Sequence, residues 1–142
     1  MAKIVLVTGG SRSGKSSYAQ KLAEGMDGPR AFLATCPVID DEMAERVRKH
    51  RNARNEANWD TIEETIDLAG ALRNARRYNV ILIDCLTLWV NNLMYESECK
   101  GEEVTEKDIA RICEEALDAC SGLSSTAIFV TNEVGMGIVP DN

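Results

Sequence analysis

Basic residues and long apolar runs are both scarce in this chain. Sixteen Lys and Arg face 23 Asp and Glu, which gives a formal net charge of −7. A negative net charge disfavours broad electrostatic binding to DNA, RNA or anionic lipid. No apolar run approaches the roughly 18 residues of a membrane span, and no signal-peptide cleavage pattern follows Met1. We therefore expect a cytoplasmic protein with no nucleic-acid partner and no membrane span.

The cysteines also lack a recognisable spacing. There are five of them, an odd number, and none belongs to a CxxC or CxxH pair. Neither a disulfide framework nor a zinc site fits that pattern. Cys113 and Cys120 are seven residues apart in a helical pattern, which predicts that both lie on one packed face.

The length and hydrophobicity predict a single domain. With 142 residues, 44% of them hydrophobic, the chain can form a layered core without a structural metal. Four apolar stretches predict strands, and they are Lys3–Thr8, Ala31–Thr35, Val80–Asp84 and Thr126–Thr131. Helical periodicity predicts five helices between them, at Gly14–Met26, Asp41–Ala53, Thr65–Arg77, Leu86–Tyr95 and Thr105–Cys120. Apolar strands that alternate with helices predict a three-layer α/β fold with a mostly parallel sheet.

Some helix ends carry local signals. Thr61 and Glu64 have the spacing of a capping box, which predicts a helix start there. Residues 40–42 would place negative charge at the start of the second helix, and Gly122 lies where the last helix should stop. The polar stretch Glu96–Glu103 is interpreted as a surface loop.

Residues 9–16 form the strongest local motif. They read Gly9-Gly10-Ser11-Arg12-Ser13-Gly14-Lys15-Ser16 and fit G-x-x-x-x-G-K-[ST] between a predicted strand and a predicted helix. In such a loop, backbone N–H groups and a helix N-terminus surround phosphate oxygens. We expect Lys15 to contact the β- and γ-phosphates and Ser16 to bind Mg²⁺. The alternative is a Gly/Ser turn followed by a solvated lysine.

Asp84 ends the apolar strand Val80–Asp84 and is a candidate second magnesium ligand. The alternative is that its carboxylate caps the helix that follows. Both interpretations stay open at this point.

His50, the single histidine, is a candidate nucleophile. Helical spacing places it one turn from Arg46 and one turn from Arg54. Two guanidinium groups would favour the neutral imidazole and would bind the phosphate oxygens under attack. The alternative is a histidine on a solvated basic helix face.

The motifs together resemble one family, the bifunctional adenosylcobinamide kinase/adenosylcobinamide-phosphate guanylyltransferases. Generic P-loop kinases lack the run at residues 130–140, which makes it the most diagnostic part of the resemblance. The residues that carry the resemblance are Gly9–Ser16, Ala34-Thr35, Asp40–Met43, His50-Arg51, Arg54, Trp59, Thr61, Glu63, Asp84–Thr87, Asn91–Leu93 and Val130–Pro140.

The resemblance implies two reactions. A nucleoside triphosphate phosphorylates the aminopropanol hydroxyl of adenosylcobinamide, and GMP from GTP is then transferred to that phosphate with release of pyrophosphate. It further implies Mg²⁺ as a cofactor, GTP and ATP as substrates, and a recombinase-like P-loop fold. A homotrimer is implied if the C-terminus is present. His50 would become transiently guanylylated. The nucleotide site would also include Ala34, Thr35, Cys36, Arg51, Arg54 and Glu63.

Members of that family continue beyond the shared run through another helix and a last strand. We therefore expect residues 1–142 to form one nucleotide-binding domain that lacks those elements. Two other functions stay open, a P-loop small-molecule kinase without guanylyl transfer and a recombinase-like ATPase module. Thr131, Asn132 and Glu133 end a predicted strand and would either sense the γ-phosphate or make ordinary strand-end hydrogen bonds.

Overall fold

The fold is built on a five-stranded parallel sheet. The computed structural model describes residues 3–9, 14–37, 40–56 and 58–132. The strand order is β1-β5-β4-β2-β3, and every neighbouring pair is parallel. The strands are β1 (Lys3–Gly9), β2 (Arg30–Ala34), β3 (Trp59–Glu63), β4 (Val80–Asp84) and β5 (Thr126–Asn132). The predicted α/β class with a mostly parallel sheet is confirmed.

Helices cover both faces of the sheet. The helices are α1 (Lys15–Glu24), α2 (Asp41–Glu56), α3 (Leu68–Arg73), α4 (Leu86–Cys99) and α5 (Glu106–Ser121). Hydrophobic clusters form separately on the two sides, one that includes α1 and one that includes α3, α4 and α5. Both faces of the sheet are therefore packed, which gives three layers.

β4 shows how the sequence produces this layering. Val80 and Leu82 belong to the cluster on the α1 side, while Ile81 and Ile83 belong to the cluster on the other side. All four are completely buried. A strand covered on both faces requires apolar residues at every position, because successive side chains point to opposite faces.

β3 was not predicted from the sequence. Thr61 lies inside this strand and pairs with Phe32 of β2, so the predicted capping box at Thr61 and Glu64 is wrong. The next helix begins later, at α3, where Asp67 is the N-cap and its carboxylate accepts a hydrogen bond from Gly70 N at 3.0 Å. β3 forms one edge of the sheet.

Four other helix ends can be compared with the predictions. α4 continues to Cys99, so the first half of the stretch predicted as a loop is helical. A capping box does exist, between Thr105 and Asp108 at the start of α5. Gly122 follows the end of α5 as predicted, and Asp41 and Glu42 lie in the first turn of α2.

Within the described ranges, no helix is both long enough and apolar enough to cross a membrane.

Candidate active site

The phosphate-loop motif leads directly into α1. Gly14 precedes the helix with a φ of 82°, a left-handed conformation that favours glycine. Lys15 and Ser16 are the first two residues of α1, and no acidic residue lies in its first turn. The N-terminal end of the helix dipole is therefore left available to an anion. Residues 10–13 of the motif lie outside the described ranges.

Ser16 and Asp84 meet beside the start of α1. The Ser16 hydroxyl donates a hydrogen bond of 3.0 Å to Asp84 Oδ2, which joins α1 to the carboxyl end of β4. Burial raises the pKa of the Asp84 carboxyl, against the smaller lowering effects of the Ser16 hydrogen bond and of the Lys15 and Arg54 charges. Asp84 is thus a desolvated acceptor next to two cations.

The same two oxygens fit a magnesium site. Mg²⁺ in phosphate-binding proteins takes one or two protein oxygens and completes its shell with water and substrate phosphates. Ser16 and Asp84 offer such a pair. Among the described residues there is no group of three or more His, Cys, Asp or Glu side chains placed to hold a metal unaided. The donor set therefore suits a cation that arrives with a nucleotide.

Asp84 does not cap α4. Cys85 is the N-cap, and its Sγ accepts a hydrogen bond of 3.4 Å from Leu88 N. The carboxylate is instead directed toward Ser16. Of the two roles considered for Asp84, the capping role is wrong.

Thr35 braces the turn that carries Asp84. Its side chain is fully buried, and its hydroxyl donates to Cys85 O at 2.8 Å and accepts from Cys85 N at 2.9 Å. Its own N–H donates to Asp84 O, and Asn92 Nδ2 donates to Thr35 O at 2.7 Å. The peptide bond between Asp84 and Cys85 is cis. Thr35 thus acts on the position of Asp84 through backbone contacts.

His50 lines a cavity together with Ser16 and Asp84. A cavity of about 310 Å³ opens between α1, α2 and the ends of β2 and β4. The imidazole of His50 is exposed and lines that cavity together with Ser16, Asp84 and Arg54. The other lining residues are Gln20, Phe32, Ala34, Cys36, Val47, Cys85 and Leu88. A chemical group bound here can contact a histidine, a buried guanidinium and the proposed magnesium ligands together.

Arg54 is the buried cation of this cavity. Only 8% of its surface is exposed, and its guanidinium carbon lies 3.8 Å from the centroid of the Phe32 ring. Burial lowers the pKa of Arg54, and the neighbouring Asp84 carboxylate partly offsets that effect. An arginine this desolvated attracts an anion more strongly than one in water.

The other predicted nucleotide residues occupy different positions. Gly9, Gly14 and Lys15 line a cavity of about 490 Å³ along β1 and α1. Arg51 pairs with Glu63 at 3.6 Å on the exposed surface, linking α2 to β3 outside the cavity wall. Ala34 and Cys36 do line the histidine cavity, whereas Thr35, between them, does not.

Two further observations bear on residues considered from sequence. Arg46, which was expected to flank His50, instead forms an exposed ion pair with Glu42 at 3.6 Å. Of the two arginines expected beside His50, Arg54 is the one that lines the same cavity. The Thr131 hydroxyl lies 2.9 Å from that of Thr87. This contact favours the structural role for Thr131, while Glu133 and the Asn132 side chain lie outside the described part of the chain.

Five residues that line the cavity are not among the predicted site residues, and they are Gln20, Phe32, Val47, Cys85 and Leu88. Gln20 lies one turn after Ser16 on α1, so helical spacing was a usable signal. Phe32 belongs to an apolar strand, and nothing in its sequence neighbours distinguishes it from a core residue.

The fold and the loop-to-helix motif define a P-loop nucleotide-binding protein. An ATP synthase subunit, NeqB from Nanoarcheaum equitans, superposes with a TM-score of 0.62 at 14% identity, over 96% of this chain and 40% of that one. An ATPase of the type III secretion system of pathogenic bacteria gives the same TM-score at 15% identity, over 99% and 45% of the two chains. At these identities the likeness concerns the fold.

Sequence comparison identifies the family. The model of the family described as cobinamide kinase / cobinamide phosphate guanyltransferase matches residues 5–142. The bifunctional adenosylcobalamin biosynthesis protein CobP of Pseudomonas aeruginosa is 40% identical over 95% of this chain and 74% of its own length. CobU of Escherichia coli, which carries the same bifunctional description, is 36% identical over 98% and 80%. The chain belongs to this enzyme family, and the predicted resemblance is confirmed.

Proposed function

We propose that this chain catalyses both reactions in the family's description. In the first, a hydroxyl of cobinamide attacks the γ-phosphorus of ATP or GTP. In the second, GMP is transferred from GTP to the resulting cobinamide phosphate, and pyrophosphate is released. Family membership supports the two activities. The residue roles below rest on the geometry of the cavity.

The start of α1 is the proposed triphosphate site. Backbone N–H groups of the loop and the Lys15 ammonium would bind the phosphates, as in other P-loop proteins. Ser16 and Asp84 would hold Mg²⁺ together with phosphate oxygens. When bound, the cation neutralises charge on the phosphates that are transferred or released.

The two reactions need different nucleophiles, because they require attack at different phosphorus atoms of the nucleotide. The kinase step requires attack at the γ-phosphorus and guanylyl transfer requires attack at the α-phosphorus, and one rigid loop cannot present both alike. A ring nitrogen of His50 would attack the α-phosphorus, form a P–N bond and break the P–O bond to pyrophosphate. An oxygen of cobinamide phosphate would then attack that phosphorus, and the free imidazole would be regenerated.

The position of His50 carries this proposal. Its imidazole shares a cavity of about 310 Å³ with Ser16 and Asp84, although it belongs to a different helix. Arg54 lines the same cavity and could bind the oxygens of the phosphate under attack. The imidazole is also exposed, so the labelling experiment below is what distinguishes a nucleophile from a histidine on a solvated basic face.

The test is capture of the covalent intermediate. The chain is mixed with Mg²⁺ and GTP labelled at the α-phosphate, without acceptor, and the acid-labile label on protein is mapped by peptide mass spectrometry. We expect a GMP adduct on His50, which His50→Ala abolishes while cobinamide phosphorylation continues. Lys49→Ala is the matched control, because this adjacent exposed residue could also form a P–N bond.

The outcomes separate the candidate functions. Label that survives in His50→Ala but disappears in Lys49→Ala assigns the nucleophile to the lysine. No label on the wild-type chain, with kinase turnover retained, indicates a small-molecule kinase without guanylyl transfer. Loss of both reactions in a folded His50→Ala variant contradicts the division of roles.

The assembly and location also belong to this proposal. We propose one domain over residues 1–142, a homotrimer and a cytoplasmic location, with adenosylcobinamide and its phosphate as partners and no nucleic acid bound. The acidic net charge of −7 supports the last point. Light scattering coupled to size exclusion tests the trimer, and titration with single-stranded DNA at low salt tests the absence of nucleic-acid binding.

A further inference from the structure

Arg54 rests on the ring of Phe32. The guanidinium carbon lies 3.8 Å from the ring centroid, well within the distance of a cation–π contact. Both side chains are buried, with 6% of Phe32 and 8% of Arg54 exposed. Low exposure strengthens the contact, because neither partner is well hydrated.

The Phe32 ring packs in turn against a residue of β3. The ring of Trp59 packs edge-on against Phe32, with centroids 6.0 Å apart and planes at 76°. Trp59 Nε1 donates a hydrogen bond of 2.9 Å to Glu24 Oε2 at the end of α1. Phe32 therefore packs against Trp59 of β3, and Trp59 is in turn hydrogen-bonded to α1.

The stacked arrangement leaves part of Arg54 without a partner. Its Nε is buried and makes no hydrogen bond to the described part of the protein. A ring that covers the face of a guanidinium leaves the N–H groups at its edge free to donate. Those groups belong to a side chain that lines the cavity with His50, Ser16 and Asp84.

We propose that Phe32 is a positioning residue for the nucleotide, whose ring holds the Arg54 guanidinium so that its N–H edge meets phosphate oxygens of GTP in the cavity. This inference rests on the proposed function, because it takes GTP as the ligand. It adds a role for β2 that the loop motif and the histidine do not supply. A purely structural role would make Phe32 one more core residue on the α1 side of the sheet.

The test uses equilibrium binding of GTP with Mg²⁺ to the whole chain. Phe32→Leu should weaken binding roughly 2- to 12-fold, the range expected when an arginine side chain that no ring holds in place must be ordered on binding. Phe32→Tyr, which keeps the ring, should bind within about twofold of wild type. Phe129→Leu is the matched control, since Phe129 is 4% exposed on β5 and packs in the opposite cluster.

A double-mutant cycle tests the coupling to Arg54 itself. Alanine places no cation over the ring, so Phe32→Leu should weaken GTP binding by less than about twofold in an Arg54→Ala background. GTP binding by Phe32→Leu equal to that of Phe129→Leu would overturn the positioning role. So would an undiminished effect of Phe32→Leu in the Arg54→Ala background.

These failures differ from failure of the proposed function. If the wild-type chain binds GTP and becomes labelled while Phe32→Leu behaves like the control, the positioning role alone is refuted. If the wild-type chain does not bind GTP, the proposed function and this inference are refuted together.

Discussion

Replacing Thr35 by valine should destabilise the fold through one lost hydroxyl. Valine has nearly the same shape, so it leaves no cavity at this fully buried position. The change removes the acceptor of Cys85 N–H at 2.9 Å and the donor to Cys85 O at 2.8 Å. A buried donor left without a partner costs roughly 1–3 kcal/mol, which sets the expected loss in the free energy of unfolding.

The assay is urea unfolding followed by circular dichroism, with a thermal scan beside it. For a domain of this size, the expected loss lowers Tm by roughly 3–10 °C. The urea midpoint should fall with an unchanged m-value, since the surface exposed on unfolding is the same. GTP binding should weaken as well, because the same hydrogen bonds hold the turn that carries Asp84.

Thr126→Val is the matched control. Thr126 starts β5, is half-buried, and its hydroxyl makes no hydrogen bond within the described part of the chain. This variant should change the free energy of unfolding by less than about 0.5 kcal/mol. Equal stabilities for the two valine variants would refute the bracing role assigned to Thr35.

Two further predictions concern Asp84 and the cysteines. Because burial raises the pKa of Asp84, its ionised form costs stability above the folded pKa. Asp84→Asn should therefore raise Tm at pH 7, with a gain that shrinks as the pH falls through that pKa; an unchanged or lower Tm at pH 7 contradicts this. Burial also raises the pKa of Cys120 to about 11, whereas Cys99 is exposed. Iodoacetamide at pH 8 should therefore label Cys99 first and Cys120 last by peptide mass spectrometry, and comparable rates would contradict the burial assigned to Cys120.

Four of the five strands were predictable because each carries an apolar run. β2, β4 and β5 are covered on both faces, whereas β1 lies at the edge of the described sheet and leaves Ile4 and Leu6 exposed. Burial on both sides demands an unbroken apolar run, and β4 has one. β3 lies at the other edge and was missed because it carries the charged residues Asp60 and Glu63 toward solvent. Its composition gives no apolar run, and the accidental spacing of Thr61 and Glu64 imitates a helix start.

The end of α4 was missed for a related reason. Beyond Tyr95 the helix carries mostly polar residues and has no apolar stripe to mark its periodicity. An exposed ion pair between Glu96 and Lys100 at 3.2 Å spans one turn there. Such a pair supports a helix only weakly, so its residues also suit a loop.

The candidate site was only partly predictable, because its geometry depends on strand order. The motif at residues 9–16 is local and was recognisable in the sequence, but nothing local relates it to His50. β1 and β2 are consecutive in the chain, yet β5 and β4 lie between them in the sheet.

The strand order β1-β5-β4-β2-β3 places α1 and α2 apart from each other on the same side of the sheet. α1 packs on β1, β5 and β4, whereas α2 packs on the edge strand β3. The carboxyl ends of β2 and β4 are left between them, and the cavity that His50 lines opens there. In parallel α/β sheets, ligands bind outside the carboxyl ends of the strands, where the strand order reverses. The histidine therefore shares a cavity with Ser16 because the chain skips two strand positions after α1, and that is a property of the sheet as a whole.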